Sequence, residues 1–247
     1  MLLERSEGRI TPLILDVTDS ASARAAADLV AGAIGRSGLS GLVNNAGIAV
    51  GGPLEFLPLP DIRKQFEVNV LGQIAVTQAF LPLLRLARGR IVNMSSIAGK
   101  VAFPFIGPYS ASKFALEAVS DALRIELLPW GISVSVIEPG DVATPIWEKS
   151  LAAAQSARHL LPPRAAELYG PSFEAVTRAA EKAAAAAIDP GLVVHAVEQA
   201  LTAERPKTRY RVGPGVRFRT MLKKVIPDRL FDLLVIRSAG LPGRKDV

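Results

Sequence analysis

The chain has 247 residues, 49% apolar and 21% charged, a composition that suits one large domain with a sizeable core. It contains no cysteine, which excludes disulfides, thiolate metal sites and a cysteine nucleophile, and its two histidines, His159 and His195, are too few and too far apart to suggest a metal centre. The formal net charge is +6, but residues 205–247 hold 12 Lys/Arg against 3 Asp/Glu, a net of +9, leaving −3 on residues 1–204.

The first eight residues carry charges where a secretory peptide needs an apolar core, and no stretch reads as the roughly 20 apolar residues of a membrane span. A cytoplasmic protein, at most attached to a membrane surface, is expected. Ile10–Asp16 reads as a strand, followed by an alanine-rich helix to about Ile34 that Asp19 or Ser20 can cap. Leu42–Asn45 is a second strand and Asp61 to about Leu84 a long helix around Asn69. Arg90–Ser96 is a strand, Pro108–Leu128 a helix, and Ile132–Glu138 an alternating strand that runs into Pro139-Gly140. Residues 143–190 turn helical and alanine-rich, broken by Pro162-Pro163 and Gly170-Pro171, and form an insertion suited to a substrate lid. Arg209–Gly213 reads as the last strand, with short apolar segments at Leu222–Val225 and Leu230–Ile236. Strands alternating with helices predict an α/β fold with a parallel sheet, in one domain over residues 1–247. Ligands bind beyond the carboxyl ends of such strands, where Asp16, Asn44-Asn45, Ser96 and Pro139-Gly140 all fall.

Tyr109 and Lys113 lie four residues apart, on one face of the predicted helix, 13 and 17 positions after Ser96. An ammonium held there lowers the phenol pKa, and a serine ending the preceding strand can hold a substrate oxygen beside it. That set suits proton exchange with an alcohol or carbonyl while a hydride moves. The spacing alone means little, since a tyrosine and a lysine so placed also occur on ordinary helix surfaces. Asn69 has a lesser reading as a polar residue at a helix kink, and Asp16 a weaker one as a cap of the helix after it, for which Asp19 and Ser20 are better placed.

Asp16-Val17 after a strand, Asn44-Asn-Ala-Gly47, Asn69, Val92-Asn-Met-Ser-Ser96 with Gly99, Tyr109-x-x-x-Lys113, and Pro139-Gly140 followed by Thr144 together resemble the short-chain dehydrogenase/reductase family. The resemblance covers Ile10 to Thr144 closely and the remainder in layout. It implies a Rossmann-like doubly wound parallel sheet and an NAD(P)-dependent oxidoreductase that interconverts a hydroxyl and a carbonyl. Residue by residue, it makes Tyr109 the acid/base and gives Lys113 the tasks of lowering its pKa and holding the nicotinamide ribose. Ser96 would position the substrate oxygen, with Ser95 fitting less well, and Asn69 would hold a water linking Lys113 to solvent. Asp16 would accept from the adenine amine and Val17 offer its backbone nearby. Asn45, Ala46 and Gly47 would line the cofactor; Pro139, Gly140, Val142 and Thr144 would lie along the nicotinamide. The cofactor is NADP or NAD, the residues that distinguish them falling in a segment this sequence lacks. A homo-oligomer paired through the helix of Tyr109 and the long helix before it is implied.

The sequence departs from the family pattern at its start. The glycine-rich Thr-Gly-x-x-x-Gly-x-Gly turn and the first two strands are absent, roughly 40 residues judged from one βαβ unit. The sheet is therefore expected to be N-terminally truncated, from a late-placed start or a genuinely shortened protein, and its activity impaired. The alternative is an inactive member acting as a binding or interaction module. An epimerase of the extended branch is disfavoured by length and by the Asn44-Asn-Ala-Gly47 turn.

Looser likeness around Pro206–Gly213 and Ile226–Phe231 to steroid- and retinol-dehydrogenase-like members suggests an apolar small-molecule alcohol or carbonyl, with Phe103, Phe105, Ile146 and Trp147 flanking its cleft. The basic extension, residues 205–247, reads as a solvated face, a cap over the pocket, a subunit contact, or a peripheral contact with an anionic membrane. Nucleic acid is not an expected partner, because no recognition motif accompanies the charge.

Overall fold

The computed structural model describes residues 9–144 and 162–243. Helix α1 (Ser20–Ile34) starts where expected: the Asp19 side chain accepts a hydrogen bond from the Ala21 amide at 2.8 Å. Its buried stripe is Ala23, Ala26 and Ala27, the i, i+3, i+4 spacing of a helix face.

Four strands follow: β1 (Gly41–Asn44), β2 (Arg90–Met94), β3 (Ser133–Pro139) and β4 (Arg209–Val212). They form one parallel sheet in the order β1-β2-β3-β4, with Val43 opposite Val92, Ile91 opposite Val134 and Ile137 opposite Tyr210. Successive residues point to opposite faces, so each strand feeds two cores. Ile91 and Val134 pack under α1 and under Val76, Phe80, Leu83 and Leu84, whereas Val92 and Ile137 meet Ala196 and Ala200 from the other side. Burying each large side chain contributes about 1.5–3 kcal/mol. Helices on both faces of a parallel sheet make the fold Rossmann-like and doubly wound.

The helices of the first face are α2 (Leu59–Phe66), a π-helical turn (Glu67–Leu71), α3 (Gly72–Ala87) and α4 (Gly107–Glu126). After β3 come α5 (Pro163–Ala185) and α6 (Pro190–Thr202), and after β4 come α7 (Val216–Val225) and α8 (Asp228–Ala239). Leu59–Ala87 runs as one helical stretch that is long and apolar enough, by length and composition, to cross a membrane. This differs from the sequence-based expectation. Its Val70, Val76, Phe80, Leu83 and Leu84 are buried, so a core helix accounts for the same apolarity.

Two further expectations need correction. Ile10–Asp16 is not a strand: no ladder pairs it with β1, and Ile14 is 99% exposed. An isolated apolar run has nothing to hydrogen-bond with, and only its end, Leu15 with Val17, packs on the first core. Gly170-Pro171 does not break the insertion, because α5 passes through both residues. Neighbouring contacts hold the helix there: Tyr169 donates to Glu55 at 2.8 Å and meets Phe56 and Phe105 edge to face.

Candidate active site

The carboxyl ends of β1, β2 and β3 open on one cleft of about 840 Å³. Strand β2 stops at Met94, and Ser96 then caps a short 3₁₀ turn (Ile97–Gly99), its Oγ accepting from the Ala98 amide at 3.1 Å. Pro108 sits in the first turn of α4, where its missing N–H costs no helical bond. Tyr109 follows at once, and its phenol is hydrogen-bonded to Ser96. One turn later Lys113, 5% exposed, donates from Nζ to the Met94 carbonyl at 2.7 Å and lies 5.8 Å from the Tyr109 ring centre. Ser96, Tyr109 and Lys113 thus share the cleft floor.

Burial sets the proton affinities of this group. It pushes the Tyr109 phenol above its ordinary value, an effect the Ser96 hydrogen bond opposes. It brings Lys113 down from 10.5 to about 8, with the Glu117 carboxylate pulling the other way. The sequence expectation was a phenol lowered by Lys113. The structure differs because taking the phenolate out of water is the larger effect, and Lys113 turns its Nζ to Met94.

Asn69 lies in the π-turn with no exposed surface and does not reach the cleft wall. Its Oδ1 accepts from the Ile48 amide at 2.9 Å, while Nδ2 donates to the Ile48 carbonyl at 2.9 Å and to Ser112 Oγ at 3.0 Å. It belongs to a ladder that sequence reading missed. Gln65 binds the main chain of Ile48 and Val50, Gln73 binds the Ala46 carbonyl, and Thr77 accepts from Asn44, which also donates to Asn93. Gln65, Asn69, Gln73 and Thr77 recur every four residues, so one helix stripe holds the loop after β1. The signal was four buried polar residues at constant spacing in an apolar helix.

Among the expected cofactor residues, Asn45, Gly47, Tyr109, Lys113, Pro139, Gly140, Val142 and Thr144 line the cleft. A Cβ at Gly47 would stand 3.4 Å from Asn69 Oδ1 and 3.7 Å from Lys113 Nζ, so bare backbone at this position keeps a polar cradle open. This set fits the nicotinamide and ribose end of a dinucleotide. Asp16, Val17 and Ala46 are not in the lining. Asp16 is exposed and accepts from the Thr18 amide at 2.9 Å and hydroxyl at 2.7 Å, bonds that hold its carboxyl below the usual range. Its side chain closes its own turn. Among the described residues no glycine-rich turn opens a helix at the cleft.

The upper walls are apolar: Val176, Ala179 and Ala183 of α5, Val193 of α6, and Phe231 and Val235 of α8. Phe103 joins them, whereas Phe105, held at φ 65°, turns to Tyr169 and Phe173. Ile146 and Trp147 lie outside the described residues.

The sequence profile of the short chain dehydrogenase family matches residues 2–155. The chain is 38% identical over 240 residues to retinol dehydrogenase 5 of Mus musculus, covering 95% of this chain and 75% of that protein. It is also 38% identical over 248 residues to 17-beta-hydroxysteroid dehydrogenase type 6 of Bos taurus, covering 98% and 78%. A crystal structure of a short chain dehydrogenase from Burkholderia cenocepacia in complex with NADP superimposes with a TM-score of 0.68 at 25% identity, covering 92% of this chain and 81% of that one.

Proposed function

This chain belongs to the short-chain dehydrogenase family, an oxidoreductase group acting on CH–OH with a nicotinamide dinucleotide, and we propose from that premise that it interconverts an apolar alcohol and its carbonyl. The observation that carries the substrate reading is the contrast within the cleft: Ser96, Tyr109 and Lys113 below, and the apolar sides of α5, α6 and α8 above. The retinoid and steroid names of the relatives agree with it. When bound, the dinucleotide supplies or accepts the hydride. Tyr109, kept neutral by burial, is in the form that gives a proton to a carbonyl oxygen, and in oxidation it takes that proton back. Ser96 Oγ is placed to donate to the same oxygen, a preorganised dipole where charge develops. Lys113 stays protonated at neutral pH and supports the phenolate as it forms.

Substrate class is tested by turnover with a panel of retinol, hydroxysteroids and short polyols. Oxidation confined to the first two is expected, and preference for a polyol overturns the reading. The adenosine end of the dinucleotide is held weakly where Asp16 spends its carboxylate on Thr18. Titration with NADH and NADPH tests this: micromolar affinity refutes it. The interaction-module alternative draws on exposed Ile14 and on the edge of β1 that pairs with no other strand among the described residues, and predicts that Tyr109→Phe leaves self- or partner association untouched.

The basic extension is proposed to touch an anionic membrane near the cleft mouth. Phe218, Met221 and Val225 are exposed at i, i+3 and i+7 of α7, among Arg217 and Lys224. Anionic vesicles should co-sediment the protein less well after Phe218→Ser with Met221→Ser; unchanged binding removes the idea. A homo-oligomer paired through α4 and the helix before it, where Phe114 and Leu71 are exposed, is tested by light scattering on Phe114→Glu.

A further inference from the structure

Tyr109, Lys113, Glu117 and Asp121 stand at i, i+4, i+8 and i+12, one stripe along α4. Glu117 is 4% exposed, an unusual setting for a carboxylate unless it is paired. Its Oε2 receives Lys100 Nζ at 2.7 Å and Arg209 Nε at 3.1 Å. Arg209, on β4, also holds Asp121 at 2.7 Å and shares Glu138 of β3, itself wholly buried, at 3.1 Å. The helix is thereby tied at two successive turns to two strands. Glu117 Oε1 and Ser95 Oγ, in contrast, are buried with no hydrogen-bond partner among the described residues. Ion pairing alone does not account for a carboxylate oxygen left in that state. Gly99 fits between them: a Cβ there would meet Ser95 Oγ at 2.7 Å, the Lys113 carbonyl at 3.1 Å and Glu117 Cγ at 3.2 Å.

We propose that Glu117 is a positioning residue for Lys113: clamped by Arg209 and Lys100, its carboxylate lies one turn behind the lysine and keeps the ammonium charged beside Tyr109. The other groups around Lys113 carry no charge at neutral pH, namely the Tyr109 phenol, Asn69, the Gly47 backbone and the Met94 carbonyl, while Lys100, Arg209 and Glu138 stand behind Glu117. Glu117 raises the proton affinity that burial lowers. The inference uses the assignment of Lys113 to the active site, but its test does not need turnover.

The test follows the carbon-13 shift of Lys113 Cε with pH in the 247-residue protein, the signal assigned by its loss in Lys113→Arg. A midpoint near 8 is expected. Glu117→Gln lowers it by about one pH unit, roughly tenfold in proton affinity. Glu117→Asp retains most of the original value. Lys100→Met strips a cation from the same carboxylate and raises the midpoint, and this partly exposed site still decides the matter if Glu117→Gln does not fold. Unmoved midpoints, or shifts of the same sign in both variants, overturn the proposal. In an active preparation the alkaline limb of kcat moves with the midpoint; an inactive one counts against the oxidoreductase reading and leaves the titration result standing.

Discussion

In the cleft Lys113 is 5% exposed and bonded to Met94, with Asn69 and two glutamines pinning the loop beside it; in the segment before α1, outside the cleft lining, Asp16 is exposed and spends its carboxylate on Thr18 two residues away. The proton machinery is assembled from β2, β3, α4 and the π-turn, elements that pair with one another and, through Arg209, with β4. The segment before α1 makes mainly local contacts. The surroundings of Lys113 and those of Asp16 therefore draw on different packing, long-range in one and local in the other.

The sharpest way to break the comparison is Tyr109→Phe in a preparation with measurable turnover. A loss of about 10²–10⁴-fold with unchanged dinucleotide affinity is expected, and a loss of affinity as large as that in rate would join the two regions. Asn69→Ala strips partners from both the amide and the carbonyl of Ile48, so a stability cost on the order of 2–3 kcal/mol is expected by chemical denaturation. A cost below about 0.5 kcal/mol would show that the ladder does not hold the loop.

The pH dependence of stability tests the buried lysine. The unfolded chain binds the Lys113 proton up to about 10.5 and the folded chain only to about 8, so the unfolded state holds more protons between those values. Stability from this group therefore rises as pH climbs through the window and falls back as pH drops through 8. Denaturation of the parent against Lys113→Met should show that rise in the parent alone, and parallel curves would contradict it. The smallest effect is expected in the segment before α1. Ile14→Ser should change stability by less than about 0.5 kcal/mol, since its side chain is 99% exposed, and a larger loss would show that this segment packs after all.

Strand and helix periods, turn residues and the Ser96–Tyr109–Lys113 spacing were legible because each depends on residues close in sequence. The alternation in Ile132–Glu138 and the one-turn offset of Tyr109 from Lys113 carry their geometry in the chain itself. Ile10–Asp16 misled, since a strand exists only if a neighbour offers hydrogen bonds, and local pattern cannot supply one. The Gln65–Thr77 ladder and the Lys100–Glu117–Arg209–Glu138 cluster stayed hidden for a related reason: their members meet across up to 92 positions. The sign of the Tyr109 shift escaped as well, because desolvation depends on everything packed around the phenol. By itself the sequence determined lineage, element order and proton chemistry. Tertiary structure alone decided which residues share the cleft, which charge steadies Lys113, and that Asp16 closes its own turn, because burial and long-range pairing arise only when the sheet brings distant segments together.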